Sequence, residues 1–260
     1  MNGAGNDFVL IDNREGGVSL SREQIARLCH RQRGIGADGL ILLRHATGDA
    51  DWAWDFYNAD GSDADMCGNG ARCFARYLLE NFGGENEVNF ETACGVIRAR
   101  IFEGAVTVNL TEPTGVSLNL SVSVDGRKRI MHYLNTGVPH VVLFVDDADA
   151  AMVEKLGKEI RHHEEFAPDG TNVNFVQVLK PGHIRVRTYE RGVGETLACG
   201  TGVCASAMVA GRLNVWRSPV RVDVLGGDTL SVAFENKGDN FTEVWLTGPA
   251  EFVFEGTVTV

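Results

Sequence analysis

The sequence predicts an α+β protein built as two similar halves, and three observations carry that prediction. A glycine-rich segment with cysteines occurs twice, as Met66-Cys67-Gly68-Asn69-Gly70-Ala71-Arg72-Cys73 and as Ala198-Cys199-Gly200-Thr201-Gly202-Val203-Cys204. The two lie 132 residues apart in a chain of 260. The same offset pairs Tyr57 with Tyr189, Asn58 with Glu190 and Gly5 with Gly137, and a shift of one residue pairs Gly39-Leu40-Ile41-Leu42 with Asn172-Val173-Asn174-Phe175. Third, strand-like and helix-like runs follow the same order in both halves. Two unrelated glycine-rich turns would explain one match but not several in register.

Each half opens with a strand, Phe8 to Asp12 and Val141 to Val145. An amphipathic helix follows: Arg22 to Cys29 with Ser21 as N-cap, and Ala148 to Glu159 with Asp147 as the candidate cap. A second strand and then a third come next, the third being Trp52 to Tyr57 and Ile184 to Tyr189. The Cys-Gly-x-Gly turn then leads into a helix. In the first, Ala71, Phe74, Ala75, Leu78 and Leu79 form one apolar face, and Asn81-Phe82-Gly83-Gly84 ends it. The second, Val203 to Arg212, is dominated by small residues, which predicts close burial. Three strands close each half: Val88 to Thr92, Ile97 to Phe102 and Val106 to Leu110, then Val220 to Val224, Thr229 to Phe234 and Thr242 to Leu246. The boundary is expected near Glu112-Pro113-Thr114-Gly115. A last strand, Ala250 to Val260, is expected to return to the first half, giving halves of 1–114 plus 249–260 and 115–248.

Composition narrows the function. Hydrophobic residues make up 44% and charged residues 23%, ordinary for a globular protein, while 31 glycines against 6 prolines point to tight turns and close backbone approaches. A net charge of −11 argues against nucleic acid or an anionic membrane as partner. No run approaches the roughly 18 apolar residues of a membrane span, and the N-terminus lacks the pattern of a signal peptide, so a cytoplasmic location is expected. There thiols stay reduced, which disfavours a disulfide framework for the six cysteines. Cys67/Cys73 and Cys199/Cys204 have spacings unlike a zinc site, so no metal is expected. Cys29, Cys73, Cys94 and Cys204 read as small core hydrophobes, and Tyr57, Tyr189 and the tryptophans as packing residues.

Cys67 and Cys199 differ in standing at helix starts. Unsatisfied N–H groups there favour an anion, either a thiolate or a substrate carboxylate that glycine lets approach. A duplicated fold can bring the two sites face to face across one cleft. One thiolate then removes a proton from a carbon while the other thiol delivers one from the opposite side. Rival chemistries fit less well. None of Lys128, Lys155, Lys158, Lys180 and Lys237 lies in a glycine-rich turn suited to a Schiff-base cofactor. Gly34-Ile35-Gly36 is too short for a nucleotide fingerprint. A Cys-His nucleophile with His140 explains one cysteine but not the repeat. A redox dithiol and a pure binding module remain as alternatives.

The stretches Met1-Asn2-Gly3-Ala4-Gly5-Asn6-Asp7-Phe8, Tyr57-Asn58-Ala59-Asp60-Gly61-Ser62, Met66 to Arg72 and Tyr189 to Gly202 resemble the diaminopimelate epimerase family, in order and over essentially the whole chain. Proline racemases and phenazine-pathway isomerases are similar in fold. A proline racemase is expected to carry His where Asn69 stands. The resemblance implies two pseudo-symmetric halves, each a mixed, largely antiparallel sheet wrapped around a central helix, with the active site in the cleft between them. It implies interconversion of LL- and meso-diaminopimelate for lysine and peptidoglycan synthesis, with no cofactor, and a homodimer. Carried over, Cys67 and Cys199 are the acid/base thiols, and His140 and Glu190 assist their protonation. Asn6, Asn58, Asn172, Glu190 and Arg191 hold the substrate, and Gly68, Asn69, Gly200 and Thr201 offer N–H groups to the reacting carboxylate. The residue-level alternatives stay beside these: Asn6 and Asn58 as turn residues, His140 as a structural histidine, Glu190 and Arg191 as a surface ion pair. Family members usually carry residues before Met1, many have Asn at Val138, some have Gln at Gly39, and Phe254 replaces a Tyr linked to dimer contacts.

Overall fold

The computed structural model describes residues 1–83 and 86–259. The chain forms two compact units, Met1–Asn109 with Gly248–Val260, and Leu110–Thr247. Both are α+β, and among the described residues there are four α-helices. None of these is long and apolar enough to cross a membrane.

In the first unit, β1 (Asn2–Gly3), β2 (Asn6–Asp12), β3 (Gly39–His45), β4 (Trp52–Asn58), β5 (Glu87–Thr92), β6 (Gly95–Phe102) and β7 (Ala105–Asn109) lie side by side in chain order. The β2–β3 and β4–β5 pairs are parallel and the others antiparallel. Strand β3 is apolar without alternation because both its faces are covered. Leu40 and Leu42 pack with Ile25, Leu28 and Cys29 of α1 (Arg22–Cys29). Ile41, on the other face, approaches Gly70 of α2 (Gly68–Phe82). Helix α1 begins as expected, with a capping box between Ser21 and Gln24. In α2, Ala71, Phe74, Ala75 and Leu78 are buried, and Phe74 joins Trp54 and Phe90 in an aromatic cluster with centroids 4.9 to 5.6 Å apart. Gly83 caps the helix with a positive φ of 75°, while Gly84 lies outside the described residues.

In the second unit the order along the sheet is β8 (Thr114–Val124), β9 (Arg127–Asn135), β10 (Pro139–Phe144), β11 (Asn172–Lys180), β12 (His183–Glu190), β14 (Val220–Val224), β15 (Thr229–Lys237) and β16 (Asn240–Gly248), with β13 (Gly194–Thr196) on β12. From β10 onward the pairings repeat those of the first unit from β2 onward: parallel, antiparallel, parallel, antiparallel, antiparallel. Helix α4 (Gly200–Leu213) takes the place of α2 and is buried on almost every side, from Gly200 through Gly211. Its small residues let strands approach on all faces, the role the composition predicted.

Two expected elements are corrected, and one element is new. The helix expected over Ala148–Glu159 is α3 (Val153–Arg161), and Met152 caps it without a side-chain bond. Asp147 Oδ1 instead accepts from the backbone N–H of Asp149 and Ala150, closing a local turn that delays the helix. The strand expected over Ala250–Val260 is reduced to a single bridge, Glu251 with Asn2, beyond which Phe252, Val253 and Phe254 are exposed; Val260 lies outside the described residues. The β8–β9 hairpin was not anticipated. Its signal is present: alternation through Ser117-Leu118-Asn119-Leu120-Ser121-Val122-Ser123-Val124, then Asp125-Gly126 with φ of 53° and 68°, a two-residue turn of the kind hairpins favour.

Helix α3 reaches β12 closely because Gly157 has no side chain. A Cβ there would stand 2.5 Å from Cβ and Cγ of Tyr189. Gly157→Ala gains up to about 1 kcal/mol in helix propensity, but overpacking a strand-anchored residue costs about 1–3 kcal/mol. Net destabilisation is expected as a lowered urea midpoint. An unchanged or raised midpoint would show that the contact yields.

Candidate active site

Cys67 is the N-cap of α2, with extended φ and ψ of −144° and 117°. The N–H of Gly70 points to Cys67 Sγ at 3.4 Å, so the cap is a sulfur where helices usually carry oxygen. The thiol lies 3.5 Å from Asn6 Oδ1, which also accepts from Asn69 Nδ2 at 3.2 Å. Asn6 is held from behind by Asp38, whose Oδ2 accepts from Asn6 Nδ2 at 2.7 Å. Arg31 in turn grips both Asp38 and Asp7. Burial works to raise the Asp7 carboxyl, and the Arg31 guanidinium outweighs it and holds it below the usual range.

Beneath this layer Arg72 is fully buried. It donates to Asn69 Oδ1 at 3.0 Å, Gly68 O at 3.4 Å and Pro249 O at 3.1 Å. Arg31, Asp38 and Arg72 were not singled out from sequence. Arg72 sits four residues after Gly68, one turn on, which is how its side chain reaches back to the helix start.

In the second unit Cys199 caps α4 and is buried. Its Sγ lies 3.5 Å from Thr201 Oγ1, and that hydroxyl lies 2.9 Å from His140 Nε2. His140 Nδ1 is 3.2 Å from Asn174 Nδ2, which also donates to Val141 O at 2.9 Å. Asn174 Oδ1 accepts from Thr188 Oγ1 at 2.9 Å. The network explains Gly202, where a Cβ would collide with Asn174 Oδ1. Asn174 and Thr188 were seen in the sequence only as strand residues.

Sheet register brings the remaining candidates to the same ends as the thiols. Phe8 pairs with Gly39 and Gly39 with Asn58; His140 pairs with Asn172, one step from the Val173–Tyr189 pair that precedes Glu190. The two rungs occupy equivalent places in the two units. Asn58 Nδ2 ties down Ser62 Oγ and Asp63 O, the turn role weighed for it from sequence. A Cβ at Gly39 would stand 2.7 Å from Tyr57 O, so a larger residue there needs rearrangement. Asn172 Oδ1 accepts from Arg191 N at 2.8 Å, and Arg191 Nη1 donates to Asp169 O. Glu190 Oε1 accepts from Thr196 Oγ1 at 2.6 Å. Backbone N–H groups of Gly68, Asn69, Gly200 and Thr201 belong to first helical turns, which have no acceptor within the helix.

The other cysteines divide by environment. Burial pushes the Cys73 thiol up to about 12 and the Cys29 thiol up to about 11, so both stay protonated. Cys204 is buried in α4. Cys94, expected in the core, is exposed: the Thr92 hydroxyl closes a turn by accepting from Cys94 N and donating to Gly95 O, and the turn faces outward. Among the described residues no group of three or more His, Cys, Asp or Glu is arranged to hold a metal ion.

Fold and site define a class: repeated α+β units in which a cysteine caps a glycine-rich helix, on the scaffold of phenazine-biosynthesis and racemase proteins. A PhzF-family phenazine biosynthesis protein from Bacillus anthracis superposes with a TM-score of 0.72 over 100% of this chain and 95% of its own, at 16% identity. A probable proline racemase from Agrobacterium radiobacter K84 superposes with a TM-score of 0.69 over 91% of this chain and 80% of its own, at 19% identity. Sequence narrows the class. The family model described as diaminopimelate epimerase matches residues 1–116 and 132–253. Diaminopimelate epimerases from Aquifex aeolicus and Chlorobaculum tepidum are 45% and 42% identical, each across 100% of this chain and across 96% and 100% of their own lengths. The chain belongs to the diaminopimelate epimerase family.

Burial lowers the His140 imidazole to about 3, and the Arg191 charge pushes the same way. His140 is therefore neutral in the folded protein at neutral pH. Between about 3 and the ordinary 6.5 only the unfolded chain binds this proton, so the contribution to stability falls as pH drops through that window. Unfolding free energies from urea titrations between pH 6 and 4 are expected to fall less steeply for His140→Gln than for wild type, by up to about 1.4 kcal/mol per pH unit. Parallel curves would show that His140 is already charged in the fold.

Proposed function

We propose that this chain interconverts LL- and meso-2,6-diaminopimelate by two-base proton transfer at the α-carbon, with Cys67 and Cys199 as the two acid/base groups. The carrying observation is a cysteine in the N-cap position of the equivalent helix in each of two topologically repeated units. One thiolate takes the α-proton and becomes a thiol, and the other thiol gives its proton to the opposite face and becomes a thiolate. The helix-start N–H groups of Gly68, Asn69, Gly200 and Thr201 meet the charge that builds on the carboxylate. His140 and Glu190 assist protonation at the thiols, and Asn6, Asn58, Asn172, Glu190 and Arg191 hold the substrate. On this reading the units are pseudo-symmetric halves, each a sheet around its central helix, with substrate in the cleft between them. No cofactor or metal takes part. A cytoplasmic homodimer acting in lysine and peptidoglycan synthesis is the setting the family suggests.

Specificity resides at the distal end of the substrate. Helix-start N–H groups can donate to the α-carboxylate of almost any amino acid. The Arg191 fork suits the second carboxylate, since two parallel N–H bonds match its geometry.

In heavy water without added cofactor, inversion of LL- and meso-diaminopimelate should carry solvent deuterium into Cα. Cys67→Ala and Cys199→Ala should each lose roughly 100- to 10,000-fold in kcat, while Cys94→Ser should not. Wild-type activity in either of the first two variants would sink the two-base assignment. Thiol–disulfide turnover without exchange at Cα would favour the redox alternative instead. Arg191→Ala should lower kcat/KM for diaminopimelate at least about tenfold, with lysine barely racemised by the wild type. Comparable turnover of lysine and diaminopimelate would withdraw the distal-carboxylate role.

A further inference from the structure

His140 and Thr201 have roles in the reading above, but the residue that orients both has none. Asn174 is fully buried on β11, and all its side-chain polar atoms are engaged. Its orientation is dictated. The Val141 carbonyl can only accept, so the amide must turn Nδ2 toward it, which leaves Oδ1 for the Thr188 hydroxyl. The second hydrogen of Nδ2 then points at His140 Nδ1, 3.2 Å away. Nδ1 must accept, so the ring proton resides on Nε2 and is donated to Thr201 Oγ1. With that lone pair occupied, the Thr201 hydroxyl has its own proton to direct at Cys199 Sγ, 3.5 Å away. A sulfur that receives a hydrogen bond is favoured as thiolate.

We propose that Asn174 is a positioning residue that, through His140 and Thr201, fixes a hydroxyl donor on Cys199 and so favours the thiolate at that cysteine but not at Cys67. The inference rests on the two-thiol reading and deepens it. The first unit is built differently at the equivalent places: Phe8 stands where His140 stands, and Asn69 where Thr201 stands. The two thiols of a formally symmetric reaction are then tuned by different means. The groups facing His140 from neighbouring elements are Leu134 of β9, Asn172 and Asn174 of β11, and Thr201 of α4, none of which titrates. Arg191 is a charged group that acts on His140, and beyond the Thr201 hydroxyl lies the titratable Cys199.

Two measurements on the protein without substrate test this. Histidine-selective 15N NMR of the wild type, with His140 assigned by its loss in His140→Gln, should show the Nε2–H tautomer; the Nδ1–H tautomer overturns the proposal. Second, iodoacetamide alkylation across pH, read cysteine by cysteine by mass spectrometry, gives separate midpoints for Cys199 and Cys67. Asn174→Leu and Asn174→Asp should each raise the Cys199 midpoint by about 1 pH unit, a tenfold loss of thiolate at a fixed pH below it. The Cys67 midpoint should stay in place. Thr201→Val should give a shift of similar size, and the Asn174→Leu/Thr201→Val double variant no further shift, because both cut the same line. Additive shifts, equal shifts at both cysteines or an unmoved Cys199 midpoint overturn the proposal. In catalysis the Asn174 variants should lose kcat with KM changed less than about twofold, whereas loss confined to KM counts against it. Wild-type protein with these midpoints but no inversion of diaminopimelate would sink the epimerase reading and leave the proton line standing.

Discussion

The first backbone N–H groups of an α-helix have no carbonyl to bond within their own helix. In this protein that deficit lies beside two cysteines, Cys67 and Cys199. Both α2 and α4 start at a cysteine, and Gly68 and Gly200 follow at once, so no side chain shields the donors. A helix start buried in a sheet needs something negative or strongly accepting beside it. A thiolate and a carboxylate both qualify. The surrounding structure can be understood as the means of burying two helices deeply enough for those N–H groups to matter in a low dielectric.

That burial depends on packing more than on charge. Helix α4 has sheet on nearly every side, and its glycines and alanines allow this. Gly202 lies directly over Asn174, and Gly211 over the Phe234 ring, so a side chain at either position meets a neighbour before it meets solvent. Helix α2 has a wider apolar face and fills its unit with Phe74, Trp54 and Phe90 instead. One topology thus has two packing solutions, one with small residues and one with aromatic ones. Strand β3, covered by α1 on one face and α2 on the other, ties the buried helix to the outer layer.

The polar layers at the two cysteines also diverge. Around Cys67 the contacts are amide and charged: Asn6, Asn69, Asp38 and the buried Arg72. Around Cys199 they run through neutral groups, Thr201, His140 and Asn174, and the imidazole is kept uncharged by burial. Duplication supplied two equivalent frames, and the residues set into them give each thiol its own environment. On the proposed two-base reading one thiol is charged and the other neutral at any moment, and unlike environments favour one assignment of charge at rest.

Much of this was legible in the chain itself. Periodicity marked α1 with its Ser21 cap, the apolar face of α2 and the small-residue helix α4, because local hydrogen bonding and side-chain spacing determine such elements. The repeat located Cys67 and Cys199, since a Cys-Gly-x-Gly turn before a helix is local chemistry. The β8–β9 hairpin was also written in the sequence, in its alternation and its Asp125-Gly126 turn. Other features belong to tertiary structure alone. Whether Ala250 onward pairs as a strand depends on whether a sheet edge accepts it, and among the described residues beyond Glu251 none does. Whether Asp147 caps a helix or a turn depends on where the chain must go next. Arg72, Asp38 and Asn174 look like ordinary helix, loop and strand residues, because their partners are separated in sequence: Asn174 meets His140 across 34 residues and Asn6 meets Asp38 across 32. Local pattern names the groups that can do chemistry. The partners that fix their protons and orientations are chosen by sheet register and helix docking, which no window of sequence contains.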